Sequence, residues 1–536
     1  MKINLPFTVI ALCALLACGG DDAFSGERVA TDISTTKAVA DSVSPTVILA
    51  RSAGAKKELQ EQDFADRPHR LVRTACGSCH LPPSPDLLPS ALWDTVVLPR
   101  MGQFMGHYAT PVEREQLLGP AGPERDRLAA ANVYPTEPTL TEAEWDAVRA
   151  YYLRLAKPTL PATTFAPAAP TSGFRARFPE LFLSPPSTTY VGFRGNRLLL
   201  GDVNKETVVV LNDRLRPVAR LPLGRGLTDA TGWTIGSFAV AIGSFSPTER
   251  GTGTLHALTA AGPQLIGRGL QRPTSVVAVD PDADGQPELL VTEYGKWTGR
   301  LSRWRKAGGG WQASTLTERP GALRVRVDPL ATQPTIYVLF GQGREEIVRY
   351  VFAAGIWNPE VVQRFPPSYG SSSLWLTDWD DDGHTDLLYT NGDNADYRSP
   401  VKPYHGIRLF RGAANGTFTE AFFLPFPGAY AALPGDFDGD GRKDLAAISF
   451  FPDFTASEPS GAVVFTQSSP GTFAARPLPA AGAHRYLTLA AGDYDGDGDT
   501  DLAAGCLAME PVPDDGRLAG WVANGLPAVI WENLQR

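Results

Sequence analysis

The chain changes texture three times along its length. After Met1 and Lys2, residues Leu5 to Ala17 are almost wholly apolar, a run too short for a spanning helix that predicts a signal peptide over residues 1–18. Residues 19–56 are Ser, Thr, Ala and Asp without periodicity and read as a flexible tether. Helical spacing then takes over in a small all-α unit, residues 57–157. Ala55 to Thr74 predicts one helix, and Leu140 to Ala156 another, opened by Thr141 with Glu144 three residues on, the spacing of a capping box. Leu140, Trp145, Val148, Tyr152 and Leu155 fall near one face of that helix and read as packing surface.

A Pro/Ala-rich linker, residues 158–173, separates this unit from a long β-type region. Short apolar runs, ELLVT, DLLYT, DLAAIS and DLAAG, each follow a polar Asp/Gly turn, so the region is built from an internal repeat. The last three turns begin at Asp378, Asp436 and Asp493, 58 and 57 residues apart, and the first at Asp280, 98 residues earlier. That wider gap holds one unit without such a turn, with strands inside Ala322 to Phe340 and Asp328 as its remnant. Two further degenerate units sit near Asp202 and Ala241, giving seven. Seven four-stranded units close well as a ring, so the expected fold is mainly β, a seven-bladed β-propeller over residues 174–536. The last unit runs out of chain one strand short, and a strand within Phe174 to Ser184 is expected to complete it.

Composition agrees and narrows the partners. Of 536 residues, 53 are Gly and 46 Pro, as a turn-rich β protein requires, and the formal charge of −9 argues against nucleic acid. Five cysteines, Cys13, Cys18, Cys76, Cys79 and Cys506, are too few and too scattered to staple the fold. Cys506 ends an apolar strand and reads as buried filler. Leu15, Ala17 and Cys18 resemble the lipobox of bacterial lipoproteins, which implies lipidation at Cys18, loss of Cys13 with the signal, and a lipid-anchored place in the envelope of a Gram-negative-type bacterium, periplasmic or at the outer surface.

Cys76, Gly77, Ser78, Cys79 and His80 spell C-x-x-C-H. Two thiols one turn apart can add to both vinyl groups of one porphyrin, and the adjacent imidazole then reaches the iron. The chain's four methionines are Met1, Met101, Met105 and Met509, and only Met101 and Met105 lie in this unit. Met101, after Leu98-Pro99-Arg100, is the favoured second axial ligand through a Pro-bent chain, Met105 the reserve and His107 a bis-His alternative.

The repeat turns carry D-x-D-x-D-G-x-x-D/E: Asp280, Asp282, Asp284 and Glu288; Asp378, Asp380, Asp382 and Asp386; Asp436, Asp438, Asp440 and Asp444; Asp493, Asp495, Asp497 and Asp501. Acids at positions 1, 3 and 5 converge as the chain curls, Gly at 6 allows the turn, and the acid at 9 closes the shell. Oxygen-only ligation without His or Cys points to calcium at up to four sites, and four divalent ions would bring the −9 to about −1.

CGSCHLPPSPDLLP, the run from Trp93 to Met101 and the final helix of this unit resemble the single-haem cytochrome c domain fused to an FG-GAP/VCBS-repeat (integrin-alpha-like) propeller in bacterial lipoproteins. That resemblance implies one covalent haem c and electron transfer, with a redox protein as partner and the membrane reached through the lipid anchor. Two other readings stand beside it: a propeller that oxidises a small molecule or sugar with the haem as built-in acceptor, and a calcium-dependent adhesion module. A small-molecule or glycan ligand would use the face opposite the metal loops, where the connections after the second strands carry Tyr294, Trp297, Asp393, Tyr397, Tyr404, His405, Phe451, Asp453, Met509, Glu510 and Trp521. No hydrolase, zincin or phosphate-loop motif occurs, so no catalytic residue is assigned.

Overall fold

The computed structural model describes residues 67–395, 400–456 and 459–535. The signal segment with Cys18, the tether 19–56, the start of the first predicted helix and Tyr397 lie outside them.

Helix α1, Arg67–Ala75, runs into a 3-10 turn at Cys76–Ser78. A proline-rich stretch leads to Ser90–Leu92 and a wide π turn, Trp93–Val97, which passes directly into α2, Leu98–Phe104. Pro99 therefore does not bend the chain out of helix as the sequence suggested. It sits in the first turn of α2, where a missing N–H costs little, and the wider turn before it makes room for the ring. Helices α3 (Glu113–Leu118), α4 (Pro123–Ala130) and α5 (Glu142–Leu155) follow. The capping box is formed: Glu144 N donates to Thr141 Oγ1, and Thr141 N donates to the Glu144 carboxylate.

Trp145, Val148, Tyr151 and Tyr152 of α5 pack against Val72 of α1 and against Trp93, whose indole N–H donates to the Pro85 carbonyl at 2.8 Å. Leu155 departs from the expected stripe: it is exposed, because it ends the helix where the chain turns into the linker.

Seven antiparallel four-stranded sheets make the rest of the described chain, a seven-bladed β-propeller. Blades one to six span 188–221, 227–270, 273–318, 322–365, 371–425 and 429–477. Blade seven takes three strands from 486–533 and its fourth from Phe174–Arg177, which pairs with Ala528–Asn533 in the register Phe174↔Asn533 to Arg177↔Ile530. The ring thus closes as the missing strand implied. Arg177 fixes the seam through Glu532 at 2.7 Å, and Arg175 reaches the same carboxylate.

The second strand of a blade explains the flat apolar runs. Thr335–Phe340, Asp386–Asn391, Asp444–Ser449 and Asp501–Cys506 are buried along their whole length, between neighbouring sheets on both faces, so they need no alternation. The fourth strands lie outermost, and Pro217–Leu221 is exposed for most of its length. Cys506 is fully buried in this way. The connection before Ala528 holds helix α6, Arg517–Asn524, where the sequence had suggested only irregular chain.

Candidate functional site

The turn after α1 gathers the C-x-x-C-H residues. Cys79 N and His80 N both donate to the Cys76 carbonyl at 3.3 Å, which keeps the two cysteines and the histidine on one turn. Both thiols are free, Cys76 half-buried and Cys79 exposed. Burial, then the neighbouring Cys79, pushes the Cys76 thiol up to about 11. His80 Nδ1 lies 3.1 Å from the Leu81 carbonyl, so the tautomer that donates there leaves Nε2 with its lone pair. Burial holds this imidazole below its ordinary pKa, opposed by the bond to Leu81 and assisted by the charge of Arg344.

Met101 of α2 and Met105, which ends it, both pack partly buried against the same core as Cys76. His107 stands on this core too, stacked on Trp145 with ring centroids 5.3 Å apart, its Nδ1 3.2 Å from Glu142. Its Nε2 is buried without a hydrogen-bond partner among the described residues.

The four acidic turns each join the first and second strands of a blade: three, five, six and seven. The acid at position 1 builds the turn. Asp378 accepts from Asp382 N and Gly383 N, both at 3.0 Å, and Asp280 and Asp436 do the same in their turns. Position 6 needs a left-handed backbone, with φ +82 at Gly383 and +83 at Gly441, which is why glycine recurs there.

Carboxylate oxygens come within 4.8 Å of one another in four sets: Asp280, Asp282 and Asp284; Asp378, Asp380 and Asp386; Asp436, Asp438 and Asp444; Asp493, Asp495 and Asp497. Asp382, Asp440 and Asp501 stand beside their sets and not within them. Glu288 stands apart, held by Arg303 across the strand pair, Nε to Oε2 at 2.6 Å, with Arg305 at 3.7 Å.

The position-9 acids Asp386, Asp444 and Asp501 are fully buried, each accepting two backbone N–H bonds, and for Asp444 these come from Phe437 and Gln467. Burial first, with neighbouring loop acids adding, raises all three, Asp444 to about 6. Asp499, an acid at position 7 of the last turn, is raised to about 7 by burial and then by Asp497 and Asp501.

The opposite face carries the connections between second and third strands, and the helical unit sits against it. On blade two Arg250 Nε bonds Glu124 at 2.8 Å, and Arg127 donates to the Glu249 carbonyl. On blade three Trp297 meets Phe104 edge-on at 4.8 Å, its loop pinned by the buried Glu249, which accepts from Trp297 N at 2.6 Å. Arg344 of blade four donates to the carbonyls of Cys79 (2.8 Å) and Ser78 (3.1 Å), and Tyr404 of blade five donates to the Leu87 carbonyl at 2.8 Å.

Trp297 and Tyr404, read from the sequence as recognition residues, thus meet the chain's own helices. Glu249, Arg250 and Arg344 were not foreseen, because single polar residues in short connections carry no motif. Arg272 and Arg485 are buried and donate to backbone carbonyls of adjoining connections, which is a structural duty. A cavity of about 100 Å³ lies between Phe165 of the linker and Asp453 of blade six, smaller than the few hundred Å³ typical of ligand pockets.

The family described as FG-GAP-like repeat matches residues 378–447, from the acidic turn of blade five through that of blade six. No curated protein matches the chain. Among solved structures, a Bacteroides uniformis protein described provisionally as a 6-phosphogluconolactonase is 16% identical, covering 52% of this chain and 80% of its own, with a TM-score of 0.35. The structure described as BBS1N in complex with ARL6DN is 13% identical, covering 69% of this chain and 98% of its own, with a TM-score of 0.42. Likenesses at this level carry no functional inference. The chain is a seven-bladed β-propeller that contains an FG-GAP-like repeat.

Proposed function

We propose that the protein is an exported, lipid-anchored c-type cytochrome that passes single electrons to or from a redox protein, with a calcium-binding propeller as its scaffold. The supporting observation is the Cys76–His80 turn, where two free thiols and an imidazole with Nδ1 committed to a carbonyl share one turn of chain. That donor set fits haem c. Cys76 and Cys79 would hold it through thioether bonds, and His80 Nε2 and Met101 would ligate its iron, with Met105 and His107 as alternatives to Met101. When bound, haem supplies a one-electron couple.

The chain's own residues then orient and shield. The Leu81 carbonyl fixes the His80 tautomer, and Trp93, Trp145 and Tyr152 exclude water from the core beside Cys76. Four carboxylate sets of oxygen donors suit calcium, three of them better than the blade-three turn, where Glu288 is already taken by Arg303.

A visible redox titration of the purified holo-protein against candidate donors tests the reading: reduction by a redox protein alone supports a carrier. The oxidoreductase reading draws on one observation, that the Cys76–His80 turn meets the propeller at Arg344, next in the chain to the buried acid Glu345. Reduction of the haem by a sugar or other small molecule would favour it. Cys18→Ala should release the protein from membranes into the soluble fraction.

A further inference from the structure

We infer that Arg344 couples the propeller to the electron-transfer site: its guanidinium seats the Ser78–Cys79–His80 segment on blade four, and its charge raises the reduction potential of the group bound there. The inference rests on the haem reading above and assigns a role to a residue outside the helical unit.

Arg344 is the propeller side chain that bonds the C-x-x-C-H turn. Its Nε and Nη2 reach the consecutive carbonyls of Cys79 and Ser78 at 2.8 and 3.1 Å, so one planar fork grips both peptides that precede His80. The fork is aimed from below. Arg344 N donates to the Gln342 carbonyl, and Arg319 Nη2 donates to the Arg344 carbonyl at 2.8 Å.

Three arginines meet at this corner, and Arg344 differs from the other two. Arg319 and Arg364 both pair with Glu346, at 2.9 and 3.1 Å, so their charges are answered by a carboxylate. Arg344 makes no ion pair among the described residues, and its acceptors are neutral carbonyls. A positive charge left beside an axial ligand favours the less positive, reduced iron.

The seating itself does not depend on Arg344 alone. Tyr404 on Leu87, Arg250 on Glu124 and Trp297 on Phe104 hold the helical unit at three other blades. Neutralising Arg344 is therefore expected to change the potential more than the docking.

The test is a spectroelectrochemical titration of full-length holo-protein as wild type, Arg344→Gln, Arg344→Lys and Tyr404→Phe. Arg344→Gln should shift the reduction equilibrium toward the oxidised form by about fourfold, about 36 mV at 59 mV per tenfold change for one electron. Arg344→Lys keeps the charge and Tyr404→Phe removes a docking bond without charge, so both should stay within about 1.5-fold of wild type. Should Arg344→Gln fail to accumulate, Arg344→Met, which keeps the apolar stem, replaces it in the comparison. A neutral variant with the wild-type potential overturns the inference, as does an equal shift in Tyr404→Phe, which would make the effect one of docking. A wild-type protein without reduced-haem absorption overturns the haem reading itself, and the inference with it.

Discussion

Closing the ring with a strand from the start of the propeller makes an unusual demand: a side chain more than 350 residues from its partners should govern the whole domain. Phe174 is 5% exposed and belongs to the largest core cluster, together with Trp531 of the strand beside it. Phe174→Ala removes a buried aromatic ring and leaves a cavity that the flanking sheet pairs cannot collapse, at a cost of about 3–5 kcal/mol. Domain stabilities are about 5–15 kcal/mol, so the change is a large fraction of the total. Urea unfolding followed by both tryptophan fluorescence and far-ultraviolet circular dichroism should move to lower denaturant as one transition, with its slope unchanged. Ile356→Ala, on an outer strand of blade four and 60% exposed, is the control and should stay within about 0.5 kcal/mol. A loss under about 1 kcal/mol for Phe174→Ala, or a separate early transition confined to blade seven, would mean that this strand does not hold the ring closed. Deleting residues 174–185 should destabilise the entire propeller for the same reason.

Other consequences concern the loops and the docking face. Asp444 and Asp499 bind protons more tightly in the folded chain, at about 6 and about 7, than carboxylates do when unfolded, at about 4. The folded state then holds the extra protons, so stability without divalent cations should fall as pH rises from about 4 to about 7, and calcium should stabilise more at about pH 7.5 than at about pH 5. Unfolding midpoints with calcium and with chelator at the two pH values check this, and a calcium effect independent of pH would count against it. Glu249→Gln weakens the acceptor of Trp297 N and should cost about 1–3 kcal/mol, with faster proteolysis in the linker 158–173 as the readout. His80→Ala should leave the propeller's unfolding unchanged while altering the visible spectrum.

Much of this architecture could be read from spacing. The acidic turns repeat because positions 1, 3, 5, 6 and 9 are set by the covalent geometry of a tight loop, and the missing last strand pointed to Phe174. Thr141 and Glu144 announced the start of α5 for the same local reason. Contacts between distant segments were not legible. Arg344 reaches residues 265 and 266 positions away, through a connection with no motif. Glu288 satisfies the acidic pattern, yet the facing strand places Arg303 opposite Leu290, two residues from it, and the cation takes the carboxylate. Leu155 kept helical spacing but fell at the end of its helix, where it stays 37% exposed. The recognition face lost part of its expected role because composition cannot say that the helices of the same chain will occupy it.

Covalent haem at Cys76 and Cys79, as proposed, is tested most directly by the reduced alkaline-pyridine spectrum of the full-length protein, purified from an envelope where haem attachment operates and unfolded before reading. One haem per chain, retained after acid-acetone extraction and lost in a Cys76→Ala, Cys79→Ala double variant, is the predicted result. Haem absent, or extracted by solvent with both cysteines intact, would contradict the assignment.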